Sequence, residues 1–341
     1  MTLHRGVTLV LAIGALLAYG YAHAHSFALL SPSAATVAAS DANDHSLITE
    51  PEAGIAPIIS MIEHASSSVD LVMYELEDTS VQHALAADGA RGVAVRVLLN
   101  GGYYGKKEST DNDAAYQYLS QNGVAVQWSP AYFALTHQKS LVVDGTEAAI
   151  MTMNLTPQYY ASSREFNIID DDQNDISAIE STFTDDWNGN EQPARNGDDL
   201  VWSPGSESAL ISIIHTARTS LDIYNEEMAD ANITNALEDA SSRGVAVRVD
   251  MTYSSEWKSA FTALAGAGVQ VRTYAASAPL YIHAKVIIAD GTRAFVGSEN
   301  FSSGSLGKNR ELGIVVSDPA TISSLENTFE KDWAGATMFS Q

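Results

Sequence analysis

His283 and Lys285 stand two residues apart, so in an extended strand both project from one face. Val286-Ile287-Ile288 reads as a buried strand, Asp290-Gly291 as a tight turn, and Ala294-Phe295-Val296 as the returning strand. Gly297-Ser298-Glu299-Asn300 then brings neutral donors back beside the histidine and the lysine. A copy of this stretch occurs earlier, with His137-Gln138-Lys139, then Asp144-Gly145, then Ala148 to Asn154. In both copies Asp follows His by seven positions and Asn follows it by seventeen. A lone hairpin with a stray histidine would be unremarkable, but two with equal spacing point to one shared chemistry. An ammonium, a titratable ring nitrogen and neutral donors together suit a phosphoryl group.

Phosphodiester cleavage needs a nucleophile, a proton for the leaving oxygen and positive charge over the non-bridging oxygens. Two histidines can divide the first two tasks, while Lys139 and Lys285 supply the charge. Asn154, Asn300, Thr152 and Ser298 are expected to add neutral donors to the phosphoryl group.

The elements that must hold these groups also come in duplicate. Arg91-Gly92-Val93-Ala94-Val95-Arg96-Val97 recurs residue for residue as Arg243 to Val249. Ser68-Val69-Asp70-Leu71 resembles Ser220-Leu221-Asp222-Ile223, Arg164-Glu165 recurs as Arg310-Glu311, and Phe183-x-x-Asp186-Trp187 as Phe329-x-x-Asp332-Trp333. The chain reads as a tandem duplication with halves over 51–190 and 200–336, joined by a Gly, Asn and Pro connector over 190–204. Helix periodicity over 55–66, 81–91, 114–121 and 209–217 alternates with strand-like runs over 69–74, 93–98, 124–128 and 221–224. Such alternation predicts an α/β fold, a sheet in each half covered by helices.

The doubled pattern His-x-Lys-x-x-x-x-Asp, followed by Gly-Ser-x-Asn, resembles the phospholipase D superfamily. His283, Lys285, Asp290, Gly297, Ser298 and Asn300 match in full, and His137, Lys139, Asp144 and Asn154 match in the first copy. The first copy departs from the pattern with Met151-Thr152 in place of Gly297-Ser298. The resemblance covers both halves. It implies two mixed α/β halves packed by a pseudo-two-fold with the motifs facing each other, and a two-step route through phosphohistidine without metal or cofactor. It implies His137 as nucleophile and His283 as acid and base. By the same resemblance Glu165 and Glu311 would each accept a ring N–H of a catalytic histidine and fix its tautomer. Asp144 and Asp290 belong to the motif, yet each precedes Gly at a turn, so bracing is the better reading. Asp186-Trp187 and Asp332-Trp333 read as packing at helix ends, and Glu75 and Glu227 as rim or surface carboxylates.

Composition bounds the partner. The formal charge is −24, which repels polyanions and disfavours nucleic acid as substrate. There is no Cys, hence no disulfide and no thiolate chemistry. Residues 1–24 read as a signal peptide, with Arg5 before the apolar run Gly6 to Ala18 and Ala22-His23-Ala24 as cleavage site, so a periplasmic or secreted protein is expected. Residues 25–50 read as a linker, with folded sequence starting near Pro51. Tyr132-Phe133-Ala134-Leu135, Ala278 to Ile282 and Tyr159-Tyr160 would form an aromatic lip, suited to an acyl chain or choline-type head group and equally to a stacked base. Lys106-Lys107 is the one local basic pair near the first motif. A phospholipid is therefore the expected substrate, nucleic acid the alternative, and a monomer suffices because both motifs lie in one chain.

Overall fold

The computed structural model describes residues 45–103 and 111–340. The expected signal peptide, most of the expected linker and Lys106-Lys107 lie outside the described residues. The first half runs β1 (His45–Glu50), α1 (Ala56–Glu63), β2 (Ser68–Met73), α2 (Thr79–Arg91), β3 (Ala94–Leu99), α3 (Asp113–Gln121), β4 (Ala125–Trp128), β5 (Ser140–Val143), β6 (Glu147–Met151), β7 (Ser163–Asp170) and α4 (Gln173–Trp187). The second runs β8 (Leu200–Ser203), α5 (Glu207–Thr216), β9 (Ser220–Tyr224), α6 (Ala231–Ser242), β10 (Ala246–Thr252), α7 (Lys258–Gly266), β11 (Gln270–Tyr274), β12 (Tyr281–Ile282), β13 (Val286–Ala289), β14 (Arg293–Gly297), α8 (Ser303–Gly307), β15 (Glu311–Val316), α9 (Pro319–Gly335) and β16 (Thr337–Met338). Asp at the N-cap recurs where the duplication requires it: Asp78 and Asp230 cap α2 and α6, and Asp172 and Asp318 cap α4 and α9.

The two sheets share one topology. Strand order is β1-β7-β6-β5-β2-β3-β4 in the first and β8-β15-β14-β13-β9-β10-β11-β16 in the second. In each, parallel strands follow the helical crossovers (β2 with β3, β9 with β10), and the motif hairpin (β5–β6, β13–β14) pairs antiparallel. The fold is thus mixed α/β in two like halves, as expected.

Two stretches at the expected boundaries pair as edge strands. Residues 45–50, read as linker, form β1, paired antiparallel with β7 from His45↔Asp170 to Glu50↔Glu165. Residues 200–203, where the expected second half and the connector overlap, form β8, paired antiparallel with β15. Both are short and carry weak alternation, so their pairing is decided by the open edge of β7 or β15 rather than by their own composition.

Period two explains how one strand serves two cores. Leu141, Val143, Ala149 and Met151 pack with α1, α2 and α3 residues such as Ile62, Leu85 and Leu119. Val142, Ala148, Ile150, Phe166 and Ile168 point the other way, into a core shared with Val286, Ile288, Val296, Leu312 and Phe329 of the second half. The halves are fused through this shared core, which also takes in Ile176 and Ile179 of α4 and Ile322 and Leu325 of α9.

Among the described residues no helix is long and apolar enough to cross a membrane.

Candidate active site

The strands carrying Arg-Glu hold each half's histidine from the opposite half. His283 and Ala284 amides both donate to the Arg164 carbonyl, and β12 just before them pairs parallel with β7. His137 and Gln138 amides likewise donate to the Arg310 carbonyl. This zipping delivers each ring to the glutamate that follows the arginine. His137 Nδ1 lies 2.8 Å from Glu311 Oε2, and His283 Nδ1 lies 2.5 Å from Glu165 Oε1. Burial pushes both carboxyls up, but the facing histidine, the motif lysine of that histidine and the Thr152 or Ser298 hydroxyl together hold each below its usual value. An ionised carboxylate only accepts, so Nδ1–H is the donor and Nε2 is left for chemistry.

The arginines complete a second crossed pair. Arg164 donates to Asp332 of the second half at 2.6 and 2.9 Å, and Arg310 to Asp186 of the first at 2.9 and 3.0 Å. Asp186 and Asp332 therefore do more than end a helix: they clamp the opposite half's strand. Their neighbours do pack: Phe183 and Trp187 cover Arg96, which is paired to Asp70, and Phe329 and Trp333 cover Arg248, which is paired to Asp222.

Thr152 and Ser298, expected to face a phosphoryl group, turn to the glutamates in this structure. Thr152 Oγ1 donates to Glu165 at 2.5 Å and Ser298 Oγ to Glu311 at 2.7 Å, while each accepts an amide from the strand opposite. Their hydroxyls are committed to the glutamates. Ser305 and Asn309 also donate to Glu311 Oε1, so Glu311 is held at both oxygens. Asp144 and Asp290 brace, as the turn reading implied. With φ of 56° and 57°, each sits in the left-handed region. Each accepts three successive amides, from Ser66 to Ser68 and from Arg218 to Ser220. These amides hold both carboxyls below their usual value although burial opposes them.

Around the histidines lies a cavity of about 620 Å³, lined by His137, His283, Asn154, Asn300, Tyr74, Glu75, Glu226, Glu227 and Tyr281 among others. The aromatic lip is partly there. Leu135, Tyr159, Tyr160, Ala278 and Tyr281 line the cavity, but Tyr132 turns to Asp186 and Phe133 lies under Arg310. Lys139 and Lys285 are fully buried, and each ammonium donates to the carbonyl of its own motif histidine.

The halves differ just past β2 and β9. Tyr74 stands edge-on to His137 with ring centroids 4.6 Å apart, and Lys139 Nζ lies 5.1 Å from its ring centre. At the matching position of the second half stands Glu226, whose Oε2 lies 3.2 Å from Lys285 Nζ and 3.3 Å from His283 Nε2. Burial lowers the His137 imidazole and pushes Lys139 down to about 7. Glu226 was not singled out by the motif. The signal was there in the doubled Glu226-Glu227 in the loop after β9, where the first half has Tyr74-Glu75. Glu75 and Glu227 accept from Asn154 and Asn300 at 3.4 and 3.2 Å, so both asparagines face carboxylates in this state.

A family model described as "Cardiolipin synthase, PLD-like domain" matches twice, over residues 58–187 and 210–333. Cardiolipin synthase 1 of Bacillus cereus is 23% identical over 353 aligned positions, covering 88% of this chain and 68% of its own. A cardiolipin synthase of Listeria monocytogenes is 21% identical, covering 85% and 69%. In fold, the chain resembles phosphatidylserine synthase of Haemophilus influenzae, with a TM-score of 0.68 at 11% identity, over 89% of this chain and 88% of that one. It also resembles polyphosphate kinase of Porphyromonas gingivalis, with a TM-score of 0.66 at 15% identity over 84% of this chain, which spans only 46% of that kinase. Two matched halves with one crossed His–Glu site, covering most of the chain, make this protein a member of the phospholipase D superfamily.

Proposed function

We propose that this protein is a phosphodiesterase of phospholipase D type that hydrolyses a phosphatidylcholine-like phospholipid to phosphatidic acid and the free head-group alcohol. The observation that carries the chemistry is the pair of crossed His–Glu contacts opening on one cavity. His137 is the nucleophile. Its Nδ1 proton is committed to a carboxylate held by four donors, and burial favours the neutral ring, so Nε2 keeps a lone pair. His283 is the acid and base, since both its ring nitrogens face carboxylate oxygens in a donor's position. His137 Nε2 attacks phosphorus, the P–O bond to the head group breaks, and His283 gives its Nε2 proton to the leaving oxygen. Water then attacks phosphorus, His283 takes its proton, and the P–N bond breaks. Lys139 and Lys285 stabilise the charge on the non-bridging oxygens.

The lip of Tyr159, Tyr160 and Tyr281 beside Glu75 and Glu227 favours a cationic head group. The same carboxylates and the charge of −24 disfavour DNA or RNA. A second reading is supported by the cardiolipin synthase relatives: an alcohol in place of water would make the second step a phosphatidyl transfer. The signal read over residues 1–24 supports action outside the cytoplasm, which cell fractionation tests.

Purified protein incubated with excess EDTA is offered phosphatidylcholine, phosphatidylglycerol and single-stranded DNA in parallel. Choline release sustains the first reading, and a phosphatidyl-transfer product from phosphatidylglycerol the second. Cleavage of DNA alone refutes both, and loss of all turnover in EDTA refutes the proposed route.

A further inference from the structure

Three donors of the second motif converge on a single carboxylate oxygen. Lys285 Nζ, His283 Nε2 and Asn300 Nδ2 lie 3.2, 3.3 and 3.3 Å from Glu226 Oε2. These are three of the groups that the phosphoryl chemistry requires. One oxygen anion receiving all of them stands as a non-bridging phosphoryl oxygen would. The other oxygen, Oε1, is held at 3.1 Å by the Tyr281 hydroxyl, from the strand just before His283. Burial opposes the charge on Glu226, but His283, Lys285 and His137 outweigh it and keep the carboxyl ionised.

The first half shows what the same place looks like without an anion. There Tyr74 fills the position, and Lys139 turns to a carbonyl and a ring face. The duplication therefore supplies two donor sets; among the described residues one carboxylate oxygen meets lysine, histidine and asparagine together only in the second, while in the first Glu75 meets Asn154 alone. Glu226 sits in the loop between β9 and α6, and its side chain keeps 25% exposure toward the cavity, so it can leave by side-chain rotation.

Resting on the phosphodiesterase reading, we propose that Glu226 is an internal competitor for the phosphoryl group, holding the second motif's donors until a substrate phosphate displaces it. Two anions cannot share the same three donors at contact distance, because like charges at such range repel strongly in a site of low dielectric. The resting site is thereby neutralised and discriminates against free phosphate. A substrate with binding energy elsewhere, in an acyl chain or head group, offsets the displacement.

The test uses the full chain and inorganic phosphate as probe, with binding read by calorimetry at neutral pH. Glu226→Gln keeps the shape and removes the charge, and its phosphate Kd is expected to fall about tenfold or more, the scale of one lost close charge pair. Tyr281→Phe frees Oε1 and is expected to shift the Kd the same way by about two- to threefold. Tyr281→Phe carries the test alone if circular dichroism shows that Glu226→Gln does not fold. KM for a phosphodiester reporter should fall in Glu226→Gln. Unchanged or weaker phosphate binding in the folded variants overturns the proposal. So does a collapse of kcat without tighter phosphate binding, which would make Glu226 a proton-transfer group. Phosphate binding needs no turnover, so a wild-type chain inactive on every phosphodiester refutes the function while the Glu226 result stays readable.

Discussion

At the scale of single residues, each histidine depends on a glutamate from the opposite half, and the two glutamates are held differently. Glu311 has two donors at each oxygen, while Glu165 has one at each, His283 and Thr152. Exchanging either for Gln offers the ring an amide in place of a pure acceptor and destabilises the required tautomer. Glu311→Gln and Glu165→Gln should each lower kcat by about 10²-fold or more, the range for a misplaced acid or base. Steady-state kinetics on a phosphodiester reporter measure this, and a variant within a few-fold of wild type would remove the glutamates from the mechanism. Lys139 adds a pH dependence. Burial brings its ammonium down to about 7, so its charge disappears as pH rises through that value. The kcat/KM profile should fall on the alkaline side from about pH 7, and a profile flat to pH 9 would contradict it.

Secondary elements place these residues by close approach and by turns. Gly297 and Gly313 face each other across β14 and β15. A methyl at Gly313 would meet Phe295 at 2.2 Å, and one at Gly297 would meet the Gly313 backbone at 2.6 Å. The first half has Met151 opposite Asn167 and no such constriction, so its departure from Gly-Ser is matched by a different partner strand. Gly313→Ala should cost about 1–3 kcal/mol through overpacking, as read by denaturant titration. The turn aspartates act on stability too. Asp290→Ala abandons three amides and should lose about 1–2 kcal/mol while retaining turnover. An inactive but fully stable Asp290→Ala would return this residue to the chemistry.

Across the whole molecule the halves are locked by the crossed arginines and by a shared apolar core. Arg164→Ala would strand Asp332 in that interface, where the Tyr224 hydroxyl also donates to it. Removing one partner of such a buried pair costs about 3–5 kcal/mol, so unfolding should shift to much lower denaturant and activity should go with it. Asp250 makes the opposite contribution. Neither of its oxygens has a hydrogen-bond partner among the described residues, and burial with Asp332 nearby pushes its carboxyl up to about 8, against the pull of Arg272 and Arg164. The folded state then holds a proton that the unfolded chain releases near its usual value of 3.8. Stability from this group is present at acid pH and is lost as pH rises toward 8. Asp250→Asn should raise Tm at pH 8 and flatten the decline between pH 5 and 8, and an unchanged profile would show that Asp250 is not its source.

Much of this was legible in the sequence because duplication makes local signals count twice. The His-x-Lys hairpins, the turn aspartates and the helix–strand alternation depend on neighbours in the chain, and spacing alone located them. The edge strands β1 and β8 were missed because four to six residues of weak pattern become a strand only beside an open edge. That Thr152 and Ser298 meet glutamates was not legible, since a hydroxyl can serve a phosphate or a carboxylate and only packing chooses. The repeated Arg-Glu pair was visible, but its service to the opposite half was not, because crossing is a property of how two sheets stack. Glu226 was hidden for the same reason: the motif places donors, and only the folded chain decides which oxygen they meet. The sequence by itself determined that two His-x-Lys hairpins recur at one spacing. The tertiary structure decided which half supports which histidine, and which carboxylate takes the donors of the second motif.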